Sequence, residues 1–103
     1  MYTWVQDVPI DRATYGAIIG SLGDKIPQGL LLHLALEQEG GTLRYVDIWD
    51  DKESCEKFTD ERLHPAVGPA LRASGIQVEV EPPRVEAGLV HMWGTALKKS
   101  VTA

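Results

Sequence analysis

A histidine and an aspartate near the middle of the chain are the residues best equipped for proton chemistry. Asp47 stands in the hexapeptide RYVDIW, and His33 stands in the apolar run GLLLHLALE that precedes it. An imidazole oriented by a carboxylate is the minimum equipment for general acid or base catalysis. The alternative is structural, because buried polar groups are normally hydrogen-bonded whether or not they do chemistry. Both interpretations stay open at the level of the sequence.

Side-chain alternation groups this pair with aromatic residues. In the strand predicted at RYVDIW, Tyr45, Asp47 and Trp49 share one face, and Val46 and Ile48 share the other. We expect the aliphatic face, with the leucines at 30, 32 and 34, to pack against helices. The polar and aromatic face, expected to point away from the helices, then consists of Trp4, Gln6, His33, Tyr45, Asp47, Trp49 and His91.

This face is our candidate site. An aromatic-lined concavity with a few polar groups suits a planar small molecule. We predict His33, Asp47 and His91 as catalytic residues. For His91, an interface position and a pocket position fit the sequence equally well. The predicted substrate-binding residues are Trp4, Gln6, Tyr45 and Trp49.

Other reactive residue types give no comparable signal. The three histidines lack His-x-x-x-His or Glu-x-x-His spacing, so we expect no metal site, and we expect no cofactor. Cys55 lies on the apolar side of a predicted helix, which favours a buried structural thiol over a nucleophile. His64, just before Pro65, is expected at the surface or in a helix cap.

The elements that must position these residues follow the order β-α-β-β-α-β, with an extra short strand before the last one. A glycine pair between two short apolar runs predicts a hairpin. Asp11 and Asp50 are predicted N-caps, Gly23 a helix end, and Pro65 a helix break or restart. The predicted strands cover residues 2–8, 29–37, 42–49, 76–80 and 85–93, and the helices begin after Asp11, at Asp50 and at residue 66.

This order predicts the α+β class and a ferredoxin-like antiparallel sheet with two helices on one face. The 103 residues fit one domain over 1–103. The sheet face away from the helices would expose a large aromatic patch, which marks an interface or a ligand surface. Two sheets meeting face to face would cover it, so we expect a homodimer.

The stretch GLLLHLALEQEGGTLRYVDIWDDKESCEKFTDERLHPAV resembles the dimeric α+β barrel superfamily. It is most similar to the antibiotic-biosynthesis-monooxygenase-like members and to many uncharacterised actinobacterial relatives. The resemblance rests on the strand that ends in Trp49, the acidic helix start, Phe58 in the helix and Pro65 near its end. It implies two protomers that pack their sheets into a shared barrel, with a cavity in each. Activities in the superfamily include cofactor-free monooxygenation of aromatic polyketides, haem degradation and small-ring isomerisation.

The chain departs from the superfamily at residues that matter for reaction type. The monooxygenase branches that it resembles use a pocket asparagine, and this sequence contains no asparagine. The haem-degrading branch has a tryptophan about where Phe58 stands, and its haem-ligating histidine is not at the turn of His64. Haem degradation is therefore disfavoured, while haem binding without degradation would be revealed by a Soret band.

Charge and composition exclude several partners. The net charge is −5, and the ten Lys and Arg residues are scattered, so we expect no nucleic acid and no membrane surface as partner. The N-terminus MYTWVQDVPI does not resemble a signal peptide, and we expect a cytoplasmic protein. The sequence thus favours a homodimer that binds a small aromatic or apolar molecule, as a cofactor-independent monooxygenase or isomerase. The alternative is a non-catalytic dimeric ligand-binding or structural module.

Overall fold

The computed structural model describes residues 1–76, 81–95 and 101–102. The strands are β1 (Tyr2–Val8), β2 (Leu30–Glu37), β3 (Leu43–Trp49), β4 (Val85–Ala87), β5 (His91–Met92) and β6 (Val101–Thr102). The helices are α1 (Arg12–Leu22), α2 (Lys52–Phe58) and α3 (His64–Ala73), with a π-helical turn (Thr59–Leu63) between the last two. None of the described helices is both long and apolar enough to cross a membrane.

Four strands form one antiparallel sheet in the order β2-β3-β1-β4, and β5 pairs with β6 in a separate ribbon. The α+β class and the antiparallel sheet with helices are confirmed, and the arrangement is compatible with a ferredoxin-like fold. The predicted last strand over 85–93 is wrong in part, because it is divided into β4 and β5. Of the short strand predicted over 76–80, residues 77–80 lie outside the described part.

The hairpin and the first helix follow the sequence signals. Gly40 and Gly41 both have positive φ in the β2–β3 turn, a conformation that favours glycine. The Asp11 side chain accepts a hydrogen bond from the Thr14 N–H and caps α1. Gly23 ends that helix with φ 79°. These predictions are confirmed.

The next helix begins one residue later than predicted. Asp51, not Asp50, is the N-cap of α2, and its side chain accepts from the Ser54 N–H at 2.7 Å. The Asp50 N–H instead donates to the Gly29 carbonyl at the start of β2. Gly29 has φ 86°, and a Cβ there would lie 2.7 Å from the Ser54 side chain. A glycine is therefore required where β2 approaches α2.

Of the two alternatives predicted for Pro65, a helix break and a restart, the restart is correct. Pro65 sits in the first turn of α3, where proline is tolerated. The π-helical turn connects α2 to α3 without an interruption. Such turns are rare and frequently occur at functional sites. Here the turn presents Thr59, Arg62 and Leu63 to the space above the sheet, next to Phe58 at the end of α2.

The sheet face that packs against the helices is not the one that we expected. Trp4 and Trp49 are buried in one cluster with Cys55 of α2, and Phe58 packs against them. Leu43 is buried with Ile18 of α1 and Ala70 of α3. The polar and aromatic face is therefore the inner face, covered by the helices. The aliphatic face, which we expected to pack on the helices, is the outer one.

A β-bulge explains why one leucine leaves the aliphatic group. Leu30 aligns with Trp49, whereas Leu32 aligns with Ile48, and the register shifts between them. The extra residue, Leu31, lets Leu30 join the inner aromatic cluster while His33 still faces inward. The prediction that the leucines at 30, 32 and 34 share one face is therefore wrong for Leu30.

Candidate functional site

A cavity of about 220 Å³ lies between the inner sheet face and the helices. Six of the seven predicted site residues line it, despite the reversed face. The walls combine these sheet residues with apolar side chains of α1 and with the π-helical turn. The predicted residues in the wall are Trp4, Gln6, His33, Tyr45, Asp47 and Trp49.

His33 and Asp47 form the contact that the sequence predicts. They are directly opposite each other on β2 and β3, and His33 Nδ1 lies 2.5 Å from Asp47 Oδ1. Because an ionised carboxylate can only accept, the Nδ1–H of a neutral imidazole donates to Asp47. This leaves Nε2 as the acceptor on the cavity side.

Tyr15 of α1 completes a chain of three side chains. Its hydroxyl lies 2.8 Å from His33 Nε2, and the two rings stack with centroids 6.1 Å apart. With His33 in the tautomer set by Asp47, the Tyr15 hydroxyl donates to the imidazole. The arrangement is a Tyr15–His33–Asp47 relay that reaches from the helix layer to the central strand.

Asp47 is fixed by both of its oxygens. Asp47 is 5% exposed, and its Oδ2 accepts a hydrogen bond from the Trp49 indole N–H at 3.0 Å. A buried carboxylate needs such partners, since leaving it unpaired costs several kcal/mol. The two donors, His33 and Trp49, explain how an acid can stand in a buried strand.

Tyr15, in the relay, and Tyr45, beside it, are kept as neutral phenols. Burial raises the pKa of Tyr15 above its ordinary value, and the negative charge of Asp47 adds to the effect. Burial also raises the pKa of Tyr45, with smaller contributions from Tyr15 and Asp47. The Tyr15 hydroxyl therefore remains protonated and available as a donor around neutral pH.

A second group of polar contacts lies around the buried thiol of Cys55. The Trp4 indole N–H points to its sulfur at 3.4 Å, and Arg84 Nη1 lies 3.6 Å from the same atom. Arg84 Nη2 donates to Thr59 Oγ1 at 3.1 Å, and the guanidinium carbon lies 4.4 Å from the centre of the Trp4 ring. Cys55 is 1% exposed, which confirms the prediction that its thiol is buried.

Gln6 separates this cavity from a neighbouring one. A second space of about 200 Å³ shares Gln6, Ile18, Tyr45 and Leu63 with the first. The Gln6 amide donates to the Pro82 carbonyl at 2.7 Å, so the side chain is held in the wall between them. Its predicted place on the same sheet face as Tyr45 is correct, and the two residues are aligned on β1 and β3.

His91 is not part of the cavity wall. It is exposed on the β5–β6 ribbon, and its ring lies 5.7 Å from that of Trp93, which is 82% exposed. Grouping it with Asp47 assumed one uninterrupted last strand in the main sheet. The separate ribbon removes that basis.

Sequence reasoning missed the residues that come from outside the sheet. Tyr15 comes from α1, and Arg84 lies just before β4. The Pro82-Pro83 pair directly before Arg84 was the only local hint of a special position. Strand alternation cannot find such residues, because it relates side chains only within the sheet.

No metal site is evident in residues 1–76 and 81–95, where no three His, Cys, Asp or Glu side chains cluster closely enough to hold an ion. Comparison of the chain with protein-family models, curated proteins and solved structures gives no significant match.

Proposed function

We propose that the protein binds a small aromatic or apolar molecule in the inner cavity and transfers a proton to or from it. The observation that carries the proposal is the Tyr15–His33–Asp47 relay, which lines a cavity whose wall is otherwise mostly apolar and aromatic. Cavities of this kind, with few polar groups, are typical ligand sites. The reaction class is that of a cofactor-independent isomerase or monooxygenase.

The relay supports one specific proton path. A ligand proton is accepted by the Tyr15 oxygen while the hydroxyl proton of Tyr15 passes to His33 Nε2. His33 then becomes an imidazolium, and its positive charge is neutralised by the Asp47 carboxylate at Nδ1. Reversal of the same path returns the proton to another ligand atom, which is an isomerisation.

The raised pKa of Tyr15 supports a concerted transfer. A standing phenolate is disfavoured by burial and by the nearby Asp47 charge. Tyr15 therefore acts as a neutral relay group rather than as a permanently ionised base. His33 is the group that holds the proton between the two halves of the reaction.

The experiment measures deuterium uptake from heavy water by 2-tetralone, an apolar bicyclic ketone with acidic C–H bonds. We expect the wild-type protein to bind it and to accelerate exchange. Tyr15→Phe should lower the exchange rate about 100-fold, as loss of a positioned acid–base group does. Binding without acceleration would support the non-catalytic binding module instead.

A matched pair of tryptophan substitutions locates the binding. Leu22→Trp should fill the cavity that Leu22 lines and abolish binding measured by calorimetry. Val90→Trp places the same side chain at a position that is 74% exposed, and should leave binding unchanged. Equal binding to both variants would show that the ligand sits elsewhere.

We also propose that the outer sheet face forms a homodimer interface with a second copy of the chain. Leu34, Leu36 and Val85 are 39%, 47% and 64% exposed on or beside this face. Exposed apolar side chains grouped on one sheet face support an interaction site there. The Asp7–Arg44 ion pair at one end of the strands carries both signs of charge, which suits a twofold, self-complementary contact.

A further inference from the structure

We propose that the ligand of the inner cavity is an aromatic acid bound as its anion, with Arg84 as the residue that recognises the negative group. This inference rests on the proposed function, because it names the substrate class of the same cavity. The geometry that points to it is a guanidinium held in the cavity wall, with most of its hydrogen-bond donors unused by the described residues.

The donors of Arg84 are poorly satisfied by the described residues. A guanidinium has five N–H donors. Within residues 1–76 and 81–95, two hydrogen bonds use them, a weak one to the Cys55 sulfur and one to Thr59 Oγ1. Nε is buried and has no partner among the described residues. A guanidinium that is only 18% exposed and has no carboxylate of these residues within hydrogen-bonding distance has a strong preference for an anion.

Carboxylates of the protein do not fill this role in the described part of the chain. The nearest one, Glu81 Oε1, lies 4.0 Å from Arg84 Nη2 and belongs to a half-exposed side chain. Asp47 has its two oxygens occupied by His33 and Trp49. Neither carboxylate therefore takes the place of a ligand anion on the guanidinium.

A second arginine in the wall adds to the positive charge. Arg62 of the π-helical turn donates to the carbonyls of Leu22 and Lys25 and lies over the Phe58 ring, 5.2 Å from its centre. These partners are uncharged. A chain with a net charge of −5 thus places two guanidiniums in the walls of its apolar cavity.

The aromatic part of the ligand is indicated by the surface that carries Arg84. The guanidinium stacks on Trp4, and Trp4 is aligned with Asp47 on the neighbouring strand. A flat ring that contacts the cavity wall would thus have an anion site and the relay on neighbouring parts of one sheet face. The cavity of about 220 Å³ suits a molecule of one or two fused rings.

The test compares 2-naphthoate with its neutral isostere 2-naphthamide by calorimetry. We expect wild-type protein to bind the naphthoate about tenfold more tightly or better, as a charge-assisted hydrogen bond predicts. In Arg84→Gln the preference should fall to within about twofold, with naphthamide affinity little changed. Arg84→Lys, which keeps the charge without the planar fork, should retain part of the preference.

Arg12→Gln is the matched control, because it removes the same charge from a side chain that is 80% exposed and outside the cavity. It should keep the full preference. Melting temperatures of all variants show whether a loss of binding is a loss of folding. A purely structural Arg84 would weaken both ligands equally in Arg84→Gln.

The outcomes separate this inference from the proposed function. If wild-type protein binds naphthamide as tightly as naphthoate, the anion inference is overturned while the cavity remains a ligand site. If 2-tetralone binds but neither naphthalene compound does, the inference is likewise overturned. If none of the three binds, both proposals fail.

Discussion

The two faces of the four-stranded sheet differ in polarity, and the difference is the reverse of what a sheet with one buried face usually shows. The inner face, under the helices, carries a carboxylate, a histidine and an amide among aromatic rings. The outer face carries leucine and valine side chains that are partly exposed. A sheet with one wet face normally places polar residues there. The comparison teaches that the helices cover a polar and aromatic face that lines a cavity, while the aliphatic face stays partly exposed. That exposed face is the basis of the homodimer that we propose.

The largest expected effect is a difference in the free energy of unfolding between variants of two adjacent residues, one on each face. Asp47→Ala removes the partner of the buried Trp49 N–H and of His33, and should lower the free energy of unfolding by about 3 kcal/mol. Val46→Ala, on the outer face, should cost about 1 kcal/mol. Urea denaturation measures both. Equal losses would mean that the inner polar cluster is less tightly built than its contacts indicate.

The next effect tests the outer face. Leu34→Lys places a charge where we propose a dimer contact, and should weaken dimerisation at least tenfold, since burial of one leucine contributes about 1.5–3 kcal/mol. Light scattering over a range of concentrations gives the dissociation constant. Gln28→Lys adds the same charge at an exposed site and should have no effect. A wild-type protein that is monomeric at every concentration would refute the interface.

A smaller effect is expected at alkaline pH, because all three tyrosines of the chain lie on or against the inner face. Burial is the largest cause that raises the pKa of each, and for Tyr2 the value reaches about 12, with help from its hydrogen bond to Glu86. A raised pKa means that the neutral phenols stabilise the fold. This stability is fully present below pH 10.0, the ordinary value, and is lost as pH rises through the folded values.

Near-ultraviolet absorbance measures the ionisation of these phenols, and thermal melts at matched pH follow the stability. Tyr15→Phe should remove one delayed ionisation and leave the other two. Ionisation of all three phenols at their ordinary pKa, in the folded state, would contradict their burial beneath the helices.

The smallest effect concerns the cap that begins the helix over the inner face. Asp51 is the N-cap of α2, and its hydrogen bonds with Ser54 hold its pKa below the ordinary 3.8. The stabilisation is therefore present above that pH and is lost as pH falls through the folded pKa. Asp51→Ala should lower the melting temperature slightly at neutral pH and much less in acid.

Two further variants sharpen this measurement. Asp51→Asn should recover most of the loss, since an amide oxygen can also accept from the Ser54 N–H. Asp50→Ala should change little, because the Asp50 side chain is not the cap. A larger loss from Asp50→Ala than from Asp51→Ala would contradict the observed helix start.

Local signals in the sequence predicted much of this structure. Asp11, Gly23 and the glycine pair at 40–41 define ends and turns through their own backbone chemistry. The period of two along β3 correctly grouped Tyr45, Asp47 and Trp49. The same period could not say which face the helices cover, because both faces of this sheet carry large apolar or aromatic side chains. Reasoning from the leucines chose the wrong one.

The sequence by itself determined the α+β class, the hairpin and the alignment of His33 with Asp47, since each follows from residues close in the chain. The tertiary structure alone decided that this pair faces a cavity, because Tyr15 and Arg84 reach it from separate segments. It also excluded His91 from the cavity wall, since pairing of β5 with β6 takes that residue out of the main sheet. Contacts between distant segments depend on how layers pack, which no local pattern encodes.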